Sequence, residues 1–402
     1  LKELKLLHFH IGSQISDIKI IKDALQEASQ IFVELSKLGA PMEYLDVGGG
    51  LGIDYDGSKT SSDNSTNYSL QNYANDVVAT IKDSCEQNDV KHPVIITESG
   101  RSITSHCSVL IFNILSKSNE SYKIDLSELK ESSLIIKNLI ETLHQLKLIS
   151  EQNLDLSKII ELWNDAKKFK EDSFNAFRLG FASLQERALA EKIHWACAKE
   201  IANIIEIEGI EHADLRDINK ILASTYYANF SIFQSIPDTW AINQIFPIIP
   251  IHRHKEKPLI NATFADLTCD SDGKLNSFIN NGNIKTLLKL HELIDNQEYY
   301  VGIFLAGAYQ EALGNLHNLF GNTNIIHIDI NQNNSYKISN MIKEDSKTDV
   351  LKVFDYKSDD LVEMIRLKIE SAISNGNLTI EDSQKLLAQI ETSLRNSTYL
   401  AI

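Results

Sequence analysis

The sequence predicts an α/β plus β protein: the last strands of a parallel β/α barrel, a helical insertion, and a C-terminal β domain with terminal helices. Three observations carry this reading. Short apolar runs at 4–11, 44–47 and 94–97 alternate with helical periodicity and end in glycine or polar residues. A charged stretch with helical spacing fills 127–224. From Tyr226 the composition turns to β type, punctuated by Pro237, Pro247, Pro250 and Pro258.

Leu4 to Ile11 reads as a buried strand. Ser16 or Asp17 can cap the helix that follows, whose apolar positions Ile21, Leu25, Ala28, Phe32 and Leu35 recur at helical spacing. Gly39 and Pro41 stop it. Tyr44 to Val47 is a second strand, Leu70 to Cys85 a second helix, and Val94 to Thr97 a third strand. Gly57 to Asn67, rich in Ser, Asn and Asp, reads as an exposed loop. Leu154 to Lys170 and Arg178 to Glu206 are the clearest helices of the middle region. Asn261 to Leu267, Tyr299 to Leu305 and Asn324 to Ile330 read as strands, and Asp359 to Ser374 and Ile380 to Leu394 as terminal helices. The division is therefore 1–115 for the barrel strands, 116–225 for the helical bundle and 226–402 for the C-terminal domain. A (β/α)₈ barrel typically needs ~250 residues, and the chain opens at Leu1 inside a strand. The earlier strands are therefore expected before Leu1.

The 402 residues carry a net charge of −16, from 55 acidic against 39 basic residues. Such a surface repels a phosphate backbone, so no nucleic-acid partner is expected. The longest apolar run, Val109 to Leu115, is too short to span a bilayer, and no membrane partner is expected. The four cysteines, Cys85, Cys107, Cys197 and Cys269, show no CxxC spacing, which points to free thiols in a reducing compartment, the cytoplasm.

Chemistry concentrates where strands end. Gly48-Gly49-Gly50 lets the backbone turn sharply and present N–H groups to an anion, or simply makes a flexible turn. The spacing is not that of a dinucleotide fingerprint. Glu98 can pair with a protonated ring nitrogen and Arg101 can fork onto a phosphate; alone, the two also read as a local ion pair. His8 and His10 share one face of their strand, with no third metal ligand identifiable nearby. Ser13 can offer a hydroxyl to phosphate. Cys269 can protonate a carbanion, with Asp266, Asp270 and Asp272 around it, and Asp270 can take a cationic substrate tail. Tyr309 follows small residues that allow close backbone approach. Asn229-Phe230-Ser231 and Trp240 read as packing or dimer-contact residues.

In order, His-x-Gly-Ser, Gly-Gly-Gly, Glu-x-Gly-Arg, Cys-Asp and Gly-Ala-Tyr resemble the alanine-racemase-like (fold type III) PLP-dependent decarboxylases. Within them the chain is most similar to the biosynthetic arginine decarboxylases, through HFHIGSQISD, LDVGGGLGIDYDGS, ESGR, DLTCDSDG and GAYQEALGNLHNLFGNTN. RALAEKIHW in the helical region also looks like that group's insertion. The resemblance implies a TIM-type barrel that binds pyridoxal 5'-phosphate, and conversion of L-arginine to agmatine and CO2 in putrescine and spermidine synthesis. His10 would stack on the pyridine ring. Ser13, Gly48, Gly49, Gly50, Gly100, Arg101 and Tyr309 would hold the phosphate end, and Glu98 the ring nitrogen. Cys269 and Asp270 would be catalytic, acting across a homodimer or higher homo-oligomer with shared sites. Leu45, Asp46, Val47, Leu51, Gly52, Ile53, Asp54 and Tyr55, together with Asp270, would bind substrate. The family also implies Mg2+, at residues the sequence does not identify.

The chain departs from the pattern at His254 and Asn315, which read as surface variation. The family's cofactor-bearing lysine stands in an Ala/Ile-Lys-x-Asn context that does not occur here; Lys137-Asn138 falls in the helical region. That lysine is expected before Leu1, and the chain is expected to be an incomplete, inactive fragment. Two alternatives remain: an inactive homologue that binds and regulates an active decarboxylase, and a sister enzyme for ornithine or diaminopimelate.

Overall fold

A computed structural model of the chain describes residues 1–118, 133–150, 155–209, 212–280, 282–333 and 335–401. The parts of the expected helical stretch at 127–132, 151–154 and 210–211 lie outside the described residues.

Three parallel strands, β1 (Leu6–His8), β2 (Tyr44–Asp46) and β3 (Val94–Ile96), lie side by side in that order. Helices α1 (Ile18–Lys37) and α2 (Leu70–Gln87) join them. Asp17 caps α1 by accepting the Lys19 N–H, and Ser69 with Asn72 forms a capping box on α2. Ile21, Leu25 and Phe32 of α1 and Tyr73, Val77 and Ile81 of α2 close over Leu45 and Val47. Leu45 is fully buried, and each such side chain contributes roughly 1.5–3 kcal/mol. Strand β1 is shorter than the apolar run 4–11, because the chain leaves the ladder toward Gly12, whose φ is +126°. The five-residue helix α3 (Gly100–Thr104) follows β3.

Strand β4 (Leu110–Lys117) begins inside the segment that sequence assigns to the barrel, but it pairs with strands of a second sheet. After it come α4 (Leu134–Ser150), α5 (Leu156–Arg178), α6 (Leu184–Glu208) and the short α7 (Ile218–Ile221), packed around Leu139, Leu146, Trp163, Ile193 and Ile201. Lys137 is exposed on α4. The helix expected from Arg178 starts later. Gly180 takes the left-handed region at φ +80° and ends α5, and a Ser183–Glu186 capping box starts α6.

The second sheet takes in β5 (Ser224–Ala228), β6 (Ile248–Pro250), β7 (Ile260–Ala265), β8 (Lys274–Leu275), β11 (Leu288–Leu290) and β12 (Tyr300–Ile303). Its order is β11-β7-β5-β4-β12-β6, with β8 added on β7. Helices α8 (Ile232–Ser235) and α9 (Asp238–Ala241) follow β5, and β9 (Phe278–Asn280) and β10 (Asn283–Lys285) make a hairpin. Phe112 stacks on Phe230 at 4.4 Å and meets Phe264 edge-on at 5.8 Å. Phe230 is therefore core, whereas Trp240 stays 43% exposed against Phe233. Helix α10 (Gln310–Leu313), the hairpin β13 (Ile325–Ile330) and β14 (Tyr336–Ile342), and helices α11 (Lys347–Val353), α12 (Ser358–Ser374) and α13 (Ile380–Arg395) complete the chain.

The 57–67 loop is anchored rather than wholly exposed. Ser65 and Thr66 are buried, and Asn64 Oδ1 accepts the Ile245 N–H at 3.1 Å. Among the described residues no helix is long and apolar enough to cross a membrane.

Candidate functional site

The carboxyl ends of β1, β2 and β3 meet at the Gly48–Gly50 turn. Gly48 has φ +65°, and a Cβ there would stand 2.1 Å from the Phe9 carbonyl oxygen. Gly50 has φ +104°. Both positions therefore require glycine. Asp46 fixes the turn: Oδ1 accepts the Gly48 N–H at 2.9 Å, and Oδ2 meets His8 Nδ1 at 3.0 Å. The Glu98 N–H donates to the Gly48 carbonyl at 3.0 Å, which ties the turn to β3. Tyr73 lies beneath it, and burial, then the neighbouring Tyr68, pushes its phenol up.

The Gly49 N–H donates to His10 Nδ1 at 3.1 Å. Glu98 Oε2 lies 3.7 Å from the same nitrogen, and both side chains are about half exposed. Ring and carboxylate thus stand together at the open end of the sheet.

Arg101 is only 6% exposed. Its Nε and Nη2 donate to Ser13 Oγ at 3.2 and 3.1 Å, and Nη1 donates to the Tyr55 hydroxyl at 3.0 Å. The Tyr309 ring lies over the guanidinium at 5.0 Å. Tyr309 itself sits in the left-handed region at φ +67°. Its loop docks on the end of α3, where a Cβ on Gly307 would come 1.9 Å from the Thr104 carbonyl oxygen. A Cβ on Gly100 would make only ordinary contact with the Tyr309 hydroxyl.

Cys269 and Asp270 stand elsewhere, on the exposed loop after β7. Asp266 holds that loop by accepting the Thr268 N–H and hydroxyl at 2.8 and 2.7 Å. Its other oxygen accepts the Ile232 N–H at 2.9 Å. The neighbours of the pair are Asn318 and His317. Among the described residues no hydrogen bond or ion pair joins Cys269 or Asp270 to the first cluster.

Most of the segment expected to touch substrate is packed away. Leu45, Val47 and Leu51 point into the α1–α2 core, and Ile53 and Tyr55 into the core of the second sheet. Any contact they make with a small ligand must come from backbone, apart from the Tyr55 hydroxyl, which reaches Arg101. Asp54 accepts from Ser65 Oγ at 2.6 Å, and Asp46 braces the turn. Gly52 is filled from both sides: a Cβ would meet Thr66 at 2.7 Å. Sequence reasoning found no third metal ligand near His8 and His10, yet His8, Asp46 and Glu98 place ligand atoms within 4.8 Å of one another. They are 38 and 52 or more positions apart in the chain, beyond any local spacing rule. Sequence also passed over Tyr55 as a partner of Arg101, and His317 and Asn318 altogether.

Comparison with known proteins covers every part of this architecture. Residues 1–105 match the pyridoxal binding domain of pyridoxal-dependent decarboxylases. Residues 130–219 match the arginine decarboxylase helical bundle domain, and 348–400 its C-terminal helical extension. Proteins named biosynthetic arginine decarboxylase from two strains of Prochlorococcus marinus, MED4 and MIT 9515, are each 69% identical over all of this chain and 62% of their own length. Along its whole length the chain is similar to biosynthetic arginine decarboxylases, and its first 105 residues match the pyridoxal binding domain of pyridoxal-dependent decarboxylases. It spans about three fifths of the length of these relatives. The crystal structure of the biosynthetic arginine decarboxylase from Campylobacter jejuni superposes with a TM-score of 0.84 at 31% identity, over 100% of this chain and 64% of that one. That superposition takes in the parallel strands, the inserted bundle and the second sheet, a fold type III decarboxylase architecture with a bundle added.

Proposed function

We propose that this chain supplies most of an enzyme that decarboxylates L-arginine to agmatine with pyridoxal 5'-phosphate, in polyamine biosynthesis. The observation that carries the reading is the buried Arg101, forked onto Ser13 beneath Tyr309 and next to the glycine turn, with Glu98 and His10 at the same sheet end. The residues present fit the cofactor. Gly48 and Gly50 leave a cradle that side chains would fill, and Arg101 offers a planar fork suited to phosphate. Ser13, Gly48, Gly49, Gly50, Gly100, Arg101 and Tyr309 would hold the phosphate end, His10 would lie against the ring, and Glu98 would pair with its nitrogen. Bound there, the cofactor supplies an electron sink that lowers the barrier to losing CO2.

The chain's own residues then orient and protonate. Glu98 keeps a positive charge on the ring nitrogen opposite it. Asp270 takes the guanidinium of the substrate, and Cys269 gives a proton to the carbon that has lost CO2. The distance in chain and contacts between the two clusters supports a site shared by two subunits, with Cys269 and Asp270 reaching the partner's cofactor. Domain limits near 115 and 225 are proposed with this reading. The His8, Asp46 and Glu98 set mixes nitrogen with oxygen and does not suit Mg2+, which takes an octahedron of oxygens. Four cysteines without close-spaced pairs support the cytoplasm as location.

The test is CO2 release from arginine, ornithine and diaminopimelate by the full-length protein, with agmatine measured by chromatography. Release from arginine alone is expected. Release from ornithine or diaminopimelate instead would overturn the substrate, and tight cofactor binding without release from any would mark an inactive partner protein.

A further inference from the structure

We propose that His317 and Asn318 are positioning residues that set the Cys269 thiol and the Asp270 carboxylate. The inference deepens the reading above and rests on it. Asn318 Oδ1 accepts from the Cys269 N–H at 3.3 Å and from its Sγ at 3.7 Å. One oxygen therefore gathers both the backbone and the thiol of the proton donor. His317 Nε2 approaches Asp270 Oδ2 to 3.5 Å. That nitrogen is shielded from solvent and has no hydrogen-bond partner, so its nearest acid is the one proposed to take the substrate's cation.

The pair is braced from behind. The His317 N–H donates to Asn315 Oδ1 at 3.0 Å, and its ring packs on Phe233 of α8 at 4.3 Å. The Asn315 N–H donates to the Phe233 carbonyl at 3.1 Å. Helix α8 is in turn tied to the 266–273 loop through Asp266 and the Ile232 N–H. Asn318 and Leu319 are both left-handed, at φ +53° and +63°. Asparagine adopts this region readily, whereas Leu319 costs roughly 1–2 kcal/mol there, a strain that surrounding contacts must hold in place. The turn they make leaves His317 facing Asp270 and Asn318 facing Cys269.

The step they serve is a proton transfer. The Cys269 S–H bond breaks, the electron pair left on the substrate's α-carbon becomes the new C–H bond, and sulfur keeps the negative charge. Asn318 exchanges nothing; it fixes where the S–H stands. His317 fixes the carboxylate that receives the guanidinium.

The test uses the full-length protein with Asn318→Gly, which removes the amide while sparing the left-handed backbone. Asn318→Asp retains an acceptor, and His317→Ala removes the ring. Alkylation of Cys269 by iodoacetamide is followed by peptide mass, with the exposed Cys107 as internal reference. Asn318→Gly is expected to speed alkylation of Cys269 roughly three- to tenfold, the range set by one lost hydrogen bond, with Cys107 unchanged. Asn318→Asp should stay at or below the parent rate. In turnover, Asn318→Gly should lower kcat by a similar factor at nearly constant KM, and His317→Ala should chiefly raise KM for arginine. Unchanged alkylation of Cys269 in Asn318→Gly would overturn the proposal. If the parent protein releases no CO2 from arginine, the proposed function fails, and the alkylation comparison still decides the clamp.

Discussion

Replacing Gly48 by alanine tests the geometry on which the site depends. The added Cβ would lie 2.1 Å from the Phe9 carbonyl oxygen, about an ångström inside van der Waals contact. That oxygen belongs to backbone leaving β1, so it cannot swing aside as a side chain would. The Phe9 N–H donates to the Asp46 carbonyl at 3.2 Å, and a shift of Phe9 breaks that bond. Left-handed strain, overpacking and the lost bond together amount to roughly 3–5 kcal/mol. Gly57→Ala is the matched control. Gly57 is also left-handed, at φ +74°, but nothing lies within 4 Å of its Cβ position. It should cost only the backbone strain of about 1–2 kcal/mol. Urea unfolding of the full-length variants, followed by circular dichroism, should place the Gly48→Ala midpoint clearly below that of Gly57→Ala. Equal midpoints would refute the close approach and, with it, the argument that this turn can only be glycine.

Three further outcomes are expected. Arg101→Lys should weaken pyridoxal 5'-phosphate binding about tenfold or more, read by absorbance titration, because a lysine cannot replace the fork onto Ser13 and Tyr55. His194 is buried beside Trp163, and burial, then Lys170 and Lys167, lowers its pKa to about 4. Its folded value lies below the unfolded one, so its contribution is present above about pH 6.5 and is lost as pH falls toward about 4, roughly 3 kcal/mol in all. Urea midpoints across that window should slope less in His194→Phe. Burial pushes the Cys197 thiol up to about 12 and also raises Cys85. Iodoacetamide at pH 8 should therefore label Cys107 and Cys269 in the native protein, and Cys85 and Cys197 only after unfolding.

Elements set by local periodicity were legible in the sequence. Helices α1 and α2 lie where their apolar spacing and caps place them, and strand β7 within one to two residues of the expected run. The glycine turn, Glu98 and Arg101 were also readable, because glycine needs and charge at strand ends are local signals. Contacts between distant segments were not. Nothing near Tyr55 announces that its hydroxyl will meet Arg101, since the 46 positions between them fold back only through α2 and β3. The same holds for Asn318 against Cys269, 49 positions away. The break between α5 and α6 was expected before Arg178 and falls after it, because apolar spacing runs on to Arg178 while Gly180 and Ser183, single residues, set the interruption. The burial of the expected substrate segment was not legible for a different reason. Hydrophobic residues beside a site read alike whether they face it or support it, and only burial tells them apart.

The helical bundle leaves and re-enters the second sheet through neighbouring strands. Strands β4 and β5 pair, and at their junction the Ser118 N–H donates to the Thr225 carbonyl at 2.8 Å while the Thr225 N–H donates to Ser118 Oγ at 2.9 Å. An excursion of 107 positions thus begins and ends within one hydrogen-bonded contact. For the sheet, the bundle is topologically a hairpin loop. Closing a loop costs only about 0.6 kcal/mol more for each doubling of its length, so the strands tolerate a bundle of almost any size. Helices with their own apolar core form quickly from local contacts, and once folded they hold the ends of β4 and β5 together. The insertion can therefore act in folding as a staple for the central strand pair, and a short designed turn from Ser118 to Thr225, with its lower closure cost, would preserve the register.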